Sequence, residues 1–292
     1  MKISIKKMLK YVPDKPYLKL YYFAKFKKIL HLRNPKTFNE KLQWLKLYDH
    51  KNIYTTMVDK YEVKRYVGEK IGDEYIIPTL GVWNHVDEID LNTLPDRFVL
   101  KCTHDSGGLV ICRDKAKFDW GEAKKILERS LKHQYFYEAR EWPYKNVKPR
   151  IIAESYMEDE EQQKGLTDYK FYCFGGEPRF LYVSKGLEDH ATASISFLNL
   201  DWSFAPFQRG DYKRFATLPK KPENYETMLK FAAELSRGTS FLRVDLYEIN
   251  QRIYFSELTF TPCGGMMRFD PEVWDSTIGD WIDLPHRTEE KV

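Results

Sequence analysis

The sequence lacks several features that mark common classes of protein. No apolar run approaches the roughly 20 residues of a membrane-spanning helix, and no apolar secretion signal follows the basic start. The four cysteines include no C-x-x-C pair, and the seven histidines include no H-E-x-x-H motif. These absences argue against a membrane-spanning protein, a disulfide framework and a zinc site. We therefore expect a reduced, globular, cytoplasmic protein.

The composition narrows the class further. Of the 292 residues, 15% are aromatic and 31% are charged, and the formal net charge is +4. This aromatic content excludes a disordered chain. The body of the chain is nearly neutral and carries no nucleic-acid motif, so we expect no nucleic-acid partner. At about 150 residues per domain, the length indicates two domains or lobes.

The N-terminal segment is an exception to this even charge. Between Lys2 and Lys28 there are nine lysines and one acidic residue, Asp14, interleaved with aliphatic and aromatic residues. Such a segment can make peripheral contact with the anionic inner face of a membrane. The alternative, which we favour, is a helix whose apolar stripe packs on the protein while its lysines stay in water.

The next part of the chain contains helix signals. Thr37 followed three residues later by Glu40 matches a capping box, which predicts the start of a helix. A second helix is predicted from about Tyr54 to Ile71, ending at Gly72. Acidic loops follow, and the signals then change to strands. We therefore predict an N-terminal lobe over 1–95, a central subdomain over 96–153 and a C-terminal subdomain over 154–292.

The central subdomain begins with a predicted β-hairpin. The run from Phe98 to Lys101 and the run from Leu109 to Cys112 flank a loop that contains Ser106 and two glycines. This is not a Walker A loop, because no helix follows the glycines. A glycine pair alone is most often a turn. The nearby Lys101 and Ser106 favour a loop whose backbone N–H groups hold a phosphate.

Two neighbouring strands near the C-terminus carry acidic residues at positions that face inward. Arg243 and Asp245 alternate with aliphatic residues, and burying Asp245 beside Glu257 is costly unless a cation compensates. A three-residue hairpin loop centred on Gln251 would place the two acids opposite each other, whereas a two-residue loop starting at Asn250 would place them on opposite faces. We favour the first register, which makes an all-oxygen site suited to Mg²⁺. The alternative is a surface strand with ordinary salt bridges.

In chain order, these features resemble the ATP-grasp superfamily of carboxylate–amine ligases. The closest resemblance is to the TupA-like, teichuronopeptide-biosynthesis family, over roughly residues 35 to 285. The phrases that carry it are FVLKCTHDSGG, IIAESY, DYKFYCFGGEP and FSELTFTPCGG. The resemblance implies an α+β ATP-grasp fold with an N-terminal helical or mixed lobe. It also implies a small central subdomain with a mobile glycine loop, a C-terminal lobe built on an antiparallel sheet, and an ATP cleft between the last two.

The resemblance also implies roles for individual residues. Those that would bind ATP are Lys101, Ser106, Gly107, Gly108, Glu154, Ser155, Tyr156, Met157 and Asp168. Lys170 and Arg243 would be catalytic and face the transferring phosphate. Asp245 and Glu257 would bind one or two Mg²⁺ ions, or Mn²⁺ in their place. The third metal position, usually Asn in the superfamily, is Thr259 here, and a hydroxyl is a poorer ligand for a second ion.

The reaction implied by the resemblance is ATP-dependent amide formation in the biosynthesis of capsule or other cell-surface polysaccharides. ATP would phosphorylate a carboxylate, such as that of a hexuronic acid or another glycan-related acid. An amine of an amino acid or amino sugar would then displace phosphate. For the acceptor we single out the cations Lys185 and Arg209, and His190 as a base.

Two other classes of protein remain open at this point. A metal-dependent glycosyltransferase of polysaccharide biosynthesis usually carries a short D-x-D loop, and the nearest acidic pair is Glu158 with Glu160. An inactive ATP-grasp-fold binding module is the other alternative. The presence of Lys101, Lys170 and Asp245 argues against it.

Overall fold

The computed structural model describes residues 9–159, 165–186 and 193–286, and these form helices and two antiparallel sheets. The helices are α1 (Asp14–Phe26), α2 (Phe38–Tyr48), α3 (Asn52–Val58), α4 (Glu62–Ile71), α5 (Trp120–Leu131), α6 (Phe136–Ala139), α7 (Tyr225–Ser236) and α8 (Val273–Gly279). The strands are β1 (Thr79–Trp83), β2 (Phe98–Cys102), β3 (Leu109–Cys112), β4 (Ile151–Ser155), β5 (Thr167–Phe174), β6 (Glu177–Lys185), β7 (Ser194–Asn199), β8 (Phe241–Ile249) and β9 (Arg252–Thr259). The predicted α+β class is confirmed. Among the described residues, no helix has the length and apolar character to cross a membrane.

The capping box and the break between α3 and α4 shape the N-terminal part. Thr37 accepts a hydrogen bond from the backbone N–H of Glu40, so the predicted capping box is confirmed. The single helix predicted over 54–71 is wrong, because the chain leaves helical geometry after α3. There Asp59 accepts from the N–H of Tyr61 at 2.9 Å, while the N–H of Lys60 donates to the carbonyl of Thr103 at 3.1 Å. The break therefore ties Lys60 to the end of β2.

The first sheet has the strand order β1-β4-β2-β3, and the predicted β2–β3 hairpin is confirmed. One face packs beneath α5 through buried side chains that include Leu100, Ala153 and Leu127. The other face carries Lys101 and Glu154, because side chains alternate along a strand. β1 belongs to this sheet through its pairing with β4. The division of the chain at residues 95 and 153 stays a prediction.

The second sheet has the order β7-β6-β5-β8-β9 and separates two apolar clusters. On one face, Phe171 and Val244 pack with Met228 of α7. On the other face, Tyr172 belongs to an aromatic cluster that α2 covers with Phe38. Charged side chains occupy the remaining part of this second face, next to the aromatic cluster. The sheet thus presents one apolar face and one face that is part apolar and part charged.

The turn of the β8–β9 hairpin differs from the prediction. Ile249 pairs with Arg252, so the loop has two residues, Asn250 and Gln251, and the predicted three-residue loop is wrong. Both loop residues have positive φ, 49° and 62°, as a type I′ turn requires. This turn matches the right-handed twist of the flanking strands, which explains why the shorter loop forms.

A β-bulge nevertheless places the two acids opposite each other. Leu246 pairs with Phe255, whereas Asp245 pairs with Glu257, so Ser256 is an extra residue on β9. The bulge shifts the register by one residue between the turn and the acids. The predicted pairing of Asp245 with Glu257 is therefore confirmed, but it arises from a bulge and not from the length of the loop.

The strained turn yields a stability prediction. Gln251 lies in the left-handed region, which costs a side chain about 1–2 kcal/mol, and glycine avoids this cost at an entropic penalty of about 0.5–1 kcal/mol. We expect Gln251→Gly to raise the free energy of unfolding by about 0.5–1 kcal/mol in urea titrations. Gln251→Ala, which keeps the strain, should give no gain. A glycine variant less stable than the wild type would contradict the proposed strain.

Candidate active site

Three charged residues form a row across the charged face of the second sheet. Lys170 on β5 pairs with Asp245 on β8, and Asp245 pairs with Glu257 on β9. Arg243 lies two residues before Asp245, so its side chain projects from the same face. Alternation along β5 and β8, together with the bulge at Ser256, therefore brings four charged groups together, and the predicted pairing of Asp245 with Glu257 is part of this group.

Hydrogen bonds link the four groups into one network. The Nζ atom of Lys170 lies 2.6 Å from Oδ2 of Asp245 and 3.2 Å from Oδ1 of Asp168. Arg243 donates from Nε to Oδ1 of Asp245 at 2.7 Å, and from Nη2 to Oδ2 at 2.6 Å. The same Nη2 donates to Oε1 of Glu257 at 2.7 Å. Asp245 is 0% exposed. The alternative of a surface strand is therefore wrong.

The network shifts the pKa values of its members. Burial opposes ionisation of Glu257, but Arg243, Lys170 and Lys60 outweigh it and lower the pKa of this carboxyl to about 2. Burial also opposes the charge on Lys170, yet Asp168 and Asp245 raise the pKa of its ammonium well above the ordinary value. Glu257 and Lys170 are consequently ionised at neutral pH, whereas burial raises the pKa of the Asp245 carboxyl despite the nearby Arg243 and Lys170.

The first sheet supplies the opposite wall of the site. Glu154 is 5% exposed and binds two lysines, with Lys101 Nζ at 2.5 Å and Lys64 Nζ at 2.6 Å from its carboxylate oxygens. Burial lowers the pKa of Lys64 despite this pairing, and burial likewise lowers the pKa of Lys60. Glu154 therefore acts as the shared counter-ion of two lysines.

The glycine loop between β2 and β3 is fastened to its surroundings by Asp105. Asp105 Oδ1 accepts from the N–H of Gly108 at 3.1 Å, and Ser130 on α5 donates to the Asp105 carboxylate. Lys60 donates to the Asp105 carbonyl. A side chain at Gly108 would collide with Ser130 and Cys102. Sequence reasoning missed Asp105 and Ser130, because they are 25 residues apart.

Together the two walls enclose a cleft of about 240 Å³. Its charged lining residues are four lysines and four acids, namely Lys60, Lys64, Lys101, Lys170, Asp105, Glu154, Asp168 and Glu257. Its other lining residues include Ser106, Gly108, Tyr144, Tyr247 and Phe255. The aromatic residues were not predicted, because nothing in their sequence context distinguishes them from core residues. Positive and negative side chains thus balance in number within this cleft.

The structure brings together most, but not all, of the residues singled out for ATP. Of those predicted, the cleft lining includes Lys101, Ser106, Gly108, Glu154, Asp168, Lys170 and Glu257. Ser155, Tyr156 and Met157 are not part of that lining, and the ring of Tyr156 packs 5.4 Å from the guanidinium of Arg97. Gly107 is exposed in the loop.

The three side chains predicted to bind a metal lie close together on β8 and β9. Asp245 and Glu257 are adjacent, and the hydroxyl of Thr259 donates to Glu257 Oε1 at 3.2 Å. Within the described ranges, no group of three or more His, Cys, Asp or Glu side chains could hold a metal by itself. Both oxygens of Asp245 accept hydrogen bonds from Arg243 or Lys170, so the metal-binding role of these side chains stays a prediction.

The two acceptor candidates lie in different places. Arg209 donates to Cys263 Sγ at 3.2 Å and pairs with Asp211, next to the turn that follows β9. Lys185 pairs with Thr167, which puts its side chain on the sheet face opposite to that of Lys170. It lines a separate cleft of about 580 Å³. His190 lies outside the described residues.

Helix α2 positions the turn Pro262–Gly265 beside Arg209. Lys46 is 4% exposed and donates to the carbonyls of Gly264 at 2.5 Å and Ala139 at 2.8 Å. Gln43, 0% exposed, donates to the Gly265 carbonyl at 2.7 Å. Burial lowers the pKa of Lys46 to about 8. Sequence reasoning missed both residues, because a lysine and a glutamine on an amphipathic helix are typical of its solvent face.

Comparison with known proteins is consistent with this architecture. The profile of the family described as TupA-like ATPgrasp matches residues 40–283, so the chain belongs to that family and has the ATP-grasp fold. The predicted family is confirmed. No curated protein matches the chain.

Several solved structures are similar to parts of the chain. D-alanine–D-alanine ligase from Helicobacter pylori is 15% identical, with a TM-score of 0.46, over 85% of this chain and 69% of that one. The corresponding ligase from Bacillus anthracis complexed with ATP is 13% identical, with a TM-score of 0.40 over 70% of this chain, which spans 54% of that enzyme. D-cycloserine synthetase DcsG is 15% identical, with a TM-score of 0.39, over 71% of this chain and 63% of that one.

The buried network yields a prediction about stability. Arg243→Gln leaves the buried Asp245 without its bidentate partner, and we expect the free energy of unfolding to fall by about 3–5 kcal/mol. Arg179→Gln is the control, because its pair with Glu177 is exposed, and such pairs contribute about 1 kcal/mol or less. Combining Arg243→Gln with Asp245→Asn should recover part of the loss. Strict additivity of the two single losses in urea titrations would contradict the coupling.

Proposed function

We propose that this protein is an ATP-dependent carboxylate–amine ligase that forms ADP and a C–N bond. The observation that carries the proposal is the row Lys170–Asp245–Glu257, two members of which, Lys170 and Glu257, line one cleft together with Lys101 and its lysine neighbours. Membership of the ATP-grasp family supports the use of ATP. No other function is favoured by a specific observation in the described residues.

The charge balance of the cleft supports a requirement for a divalent cation. ATP is a polyanion, and the four lysines of the lining are already offset by four acids. A bound nucleotide therefore needs additional positive charge. We propose Mg²⁺, or Mn²⁺ in its place, held by Asp245 and Glu257, with Thr259 as a weaker third position. When bound, the ion would neutralise phosphate charge and help to align the γ-phosphoryl group.

The residues of the chain would perform the remaining work. Lys101 and Lys64 reach the phosphates from one wall, and Lys170 and Arg243 neutralise the transferring phosphoryl group from the other. No covalent nucleophile of the protein is needed, because the substrate carboxylate attacks the γ-phosphorus and ADP leaves. The glycine loop would exclude water from the acyl phosphate, which hydrolysis would otherwise destroy. The amine then attacks the acyl carbon, and phosphate leaves.

Substrate identity is proposed from chemistry and family. Arg209 provides a cation for the acid, and its contact with Cys263 places it beside the turn held by Lys46. We propose a hexuronic acid or another glycan-related acid, joined to an amino acid or amino sugar in capsule or cell-surface polysaccharide biosynthesis. The work would occur in the cytoplasm, with peripheral contact to the inner face of the membrane.

The proposed reaction predicts a specific pattern of ATP use. ADP should be released only when acid, amine and Mg²⁺ are all present, and acid with ATP plus hydroxylamine should yield a hydroxamate. Glu257→Gln and Lys101→Met should each lower the rate of ADP release by about 10²-fold or more. Lys230→Met, on the exposed side of α7, is the matched lysine control and should leave the rate unchanged.

Other outcomes of the same assay identify the rival classes. ATP binding without ADP release under any combination of acid and amine would indicate an inactive binding module. Consumption of a nucleotide sugar without ADP formation would indicate a glycosyltransferase. Full activity of both Glu257→Gln and Lys101→Met would reject the cleft as the catalytic site.

The positions of the two acceptor candidates give a further prediction. Arg209→Ala removes the cation beside the turn, and we expect the KM for the acid to rise about thirtyfold, since losing a buried charge partner costs about 2 kcal/mol. Lys185→Ala removes a cation from the opposite face of the sheet, and the KM should stay within about twofold of the wild-type value. Steady-state kinetics with acid as the varied substrate would measure both. The reverse result would move the acceptor to the cleft of Lys185.

A further inference from the structure

Helix α1 is attached to the protein by one side only. Leu18 and Tyr22, four residues apart, are 0% and 3% exposed and pack with Trp44 of α2 and with Met266. At the start of the helix, the buried Arg140 donates to carbonyls of the preceding segment. The sequence-based preference for a packed apolar stripe is therefore consistent with this side of the helix. The opposite side needs a separate explanation.

The opposite side exposes large apolar side chains. Leu20 is 61% exposed and Phe23 is 52% exposed, and they lie three residues apart between Lys19 and Lys27, which are exposed as well. We call these four residues the outer face. Of the nine large apolar side chains exposed in the described chain, four lie between Tyr11 and Ile29. Exposed apolar surface is therefore concentrated on and beside this helix, which is typical of an interaction surface.

The charge of the segment is strongly positive on the exposed side. The one acidic residue of the segment is Asp14. Its Oδ1 atom lies 3.0 Å from Nε of Arg140, so its charge is already paired with a residue of the protein body. Lys28 pairs with Glu272. Lys15, Lys19 and Lys27 have no acidic partner within 4.0 Å among the described residues. The outer face therefore combines two apolar anchors with unneutralised lysines.

We infer that the outer face binds the surface of an anionic phospholipid bilayer. Leucine and phenylalanine on one side of a surface-lying helix insert at the boundary between headgroups and acyl chains, while lysines bind the acidic headgroups. A second copy of this chain fits less well, because pairing two outer faces would bring like charges together. Two side chains also provide far less area than the about 800 Å² per partner of a stable interface.

This inference names the surface responsible for the membrane contact proposed above, but its test requires no ligase activity. Purified protein is sedimented with phosphatidylcholine vesicles and with vesicles in which part of the lipid is phosphatidylglycerol. Binding is expected only to the vesicles containing phosphatidylglycerol, and it should weaken as salt is raised. Equal binding to both vesicle types, or binding to neither, would overturn the proposal.

Variants of the outer face separate its two contributions. Lys19→Ala with Lys27→Ala should weaken vesicle binding about 25-fold, at roughly fivefold per lysine near an anionic surface. Leu20→Glu with Phe23→Glu should weaken it at least as much. Ile53→Glu with Leu218→Glu is the matched control, because these apolar side chains are 44% and 45% exposed elsewhere, and it should bind like the wild type.

Measurements of folding and of ADP release separate a loss of vesicle binding from other effects of the substitutions. Circular dichroism and thermal unfolding should show that every variant is folded, since both sets of substitutions lie at exposed positions. ADP release by Leu20→Glu with Phe23→Glu in vesicle-free solution should equal that of the wild type, so loss of binding is distinguished from loss of catalysis. Wild-type affinity of this variant for vesicles would contradict the proposal. A dimer that only this variant abolishes would instead assign the outer face to a second copy of the chain.

Discussion

The site depends on one fully buried carboxylate, Asp245, and on the two cations that compensate it. An isolated charge in the protein interior is too costly to persist, so Asp245 requires both Arg243 and Lys170. Their side chains are held in turn by Asp168 and Glu257. The positions of the two cations that we propose to be catalytic are therefore set by the need to compensate a buried carboxylate in the sheet. A charged row of this kind exists without a substrate, and under the proposed function it would limit the reorganisation needed when phosphate enters the cleft.

Structural elements from distant parts of the chain converge on this row. The break between α3 and α4 directs Lys60 to the glycine loop, and Glu154 on β4 holds Lys64 next to Lys101. On the other side of the site, α2 holds the turn after β9 by its carbonyls. The N-terminal helical part is consequently a component of the candidate site, and it also carries the helix whose outer face we propose to bind lipid.

Sequence patterns predicted the features that depend on local periodicity. Alternation along β5 and β8 correctly put Asp168 with Lys170 and Arg243 with Asp245, because a strand fixes which of its side chains share a face. The capping box at Thr37 was equally local. Patterns failed where a long-range contact decides the structure. No local signal marks the link between Asp105 and Ser130, or the burial of Lys46 under Gly264, since both depend on how separate elements pack.

The pairing of Asp245 with Glu257 across the β8–β9 hairpin was predicted correctly, but its predicted cause, a three-residue loop, was wrong. The two-residue turn alone would send Asp245 and Glu257 to opposite faces, and the extra residue at Ser256 reverses that outcome. The two-residue turn thus shifts the pairing of β9 by one residue, and the bulge at Ser256 shifts it back. A single-residue insertion or deletion in the turn or at the bulge would move Glu257 away from Asp245. Two changes that offset each other would keep the charged row together. The hairpin therefore tolerates a change in length only when a second change restores the pairing of the two acids, even though the turn itself is exposed.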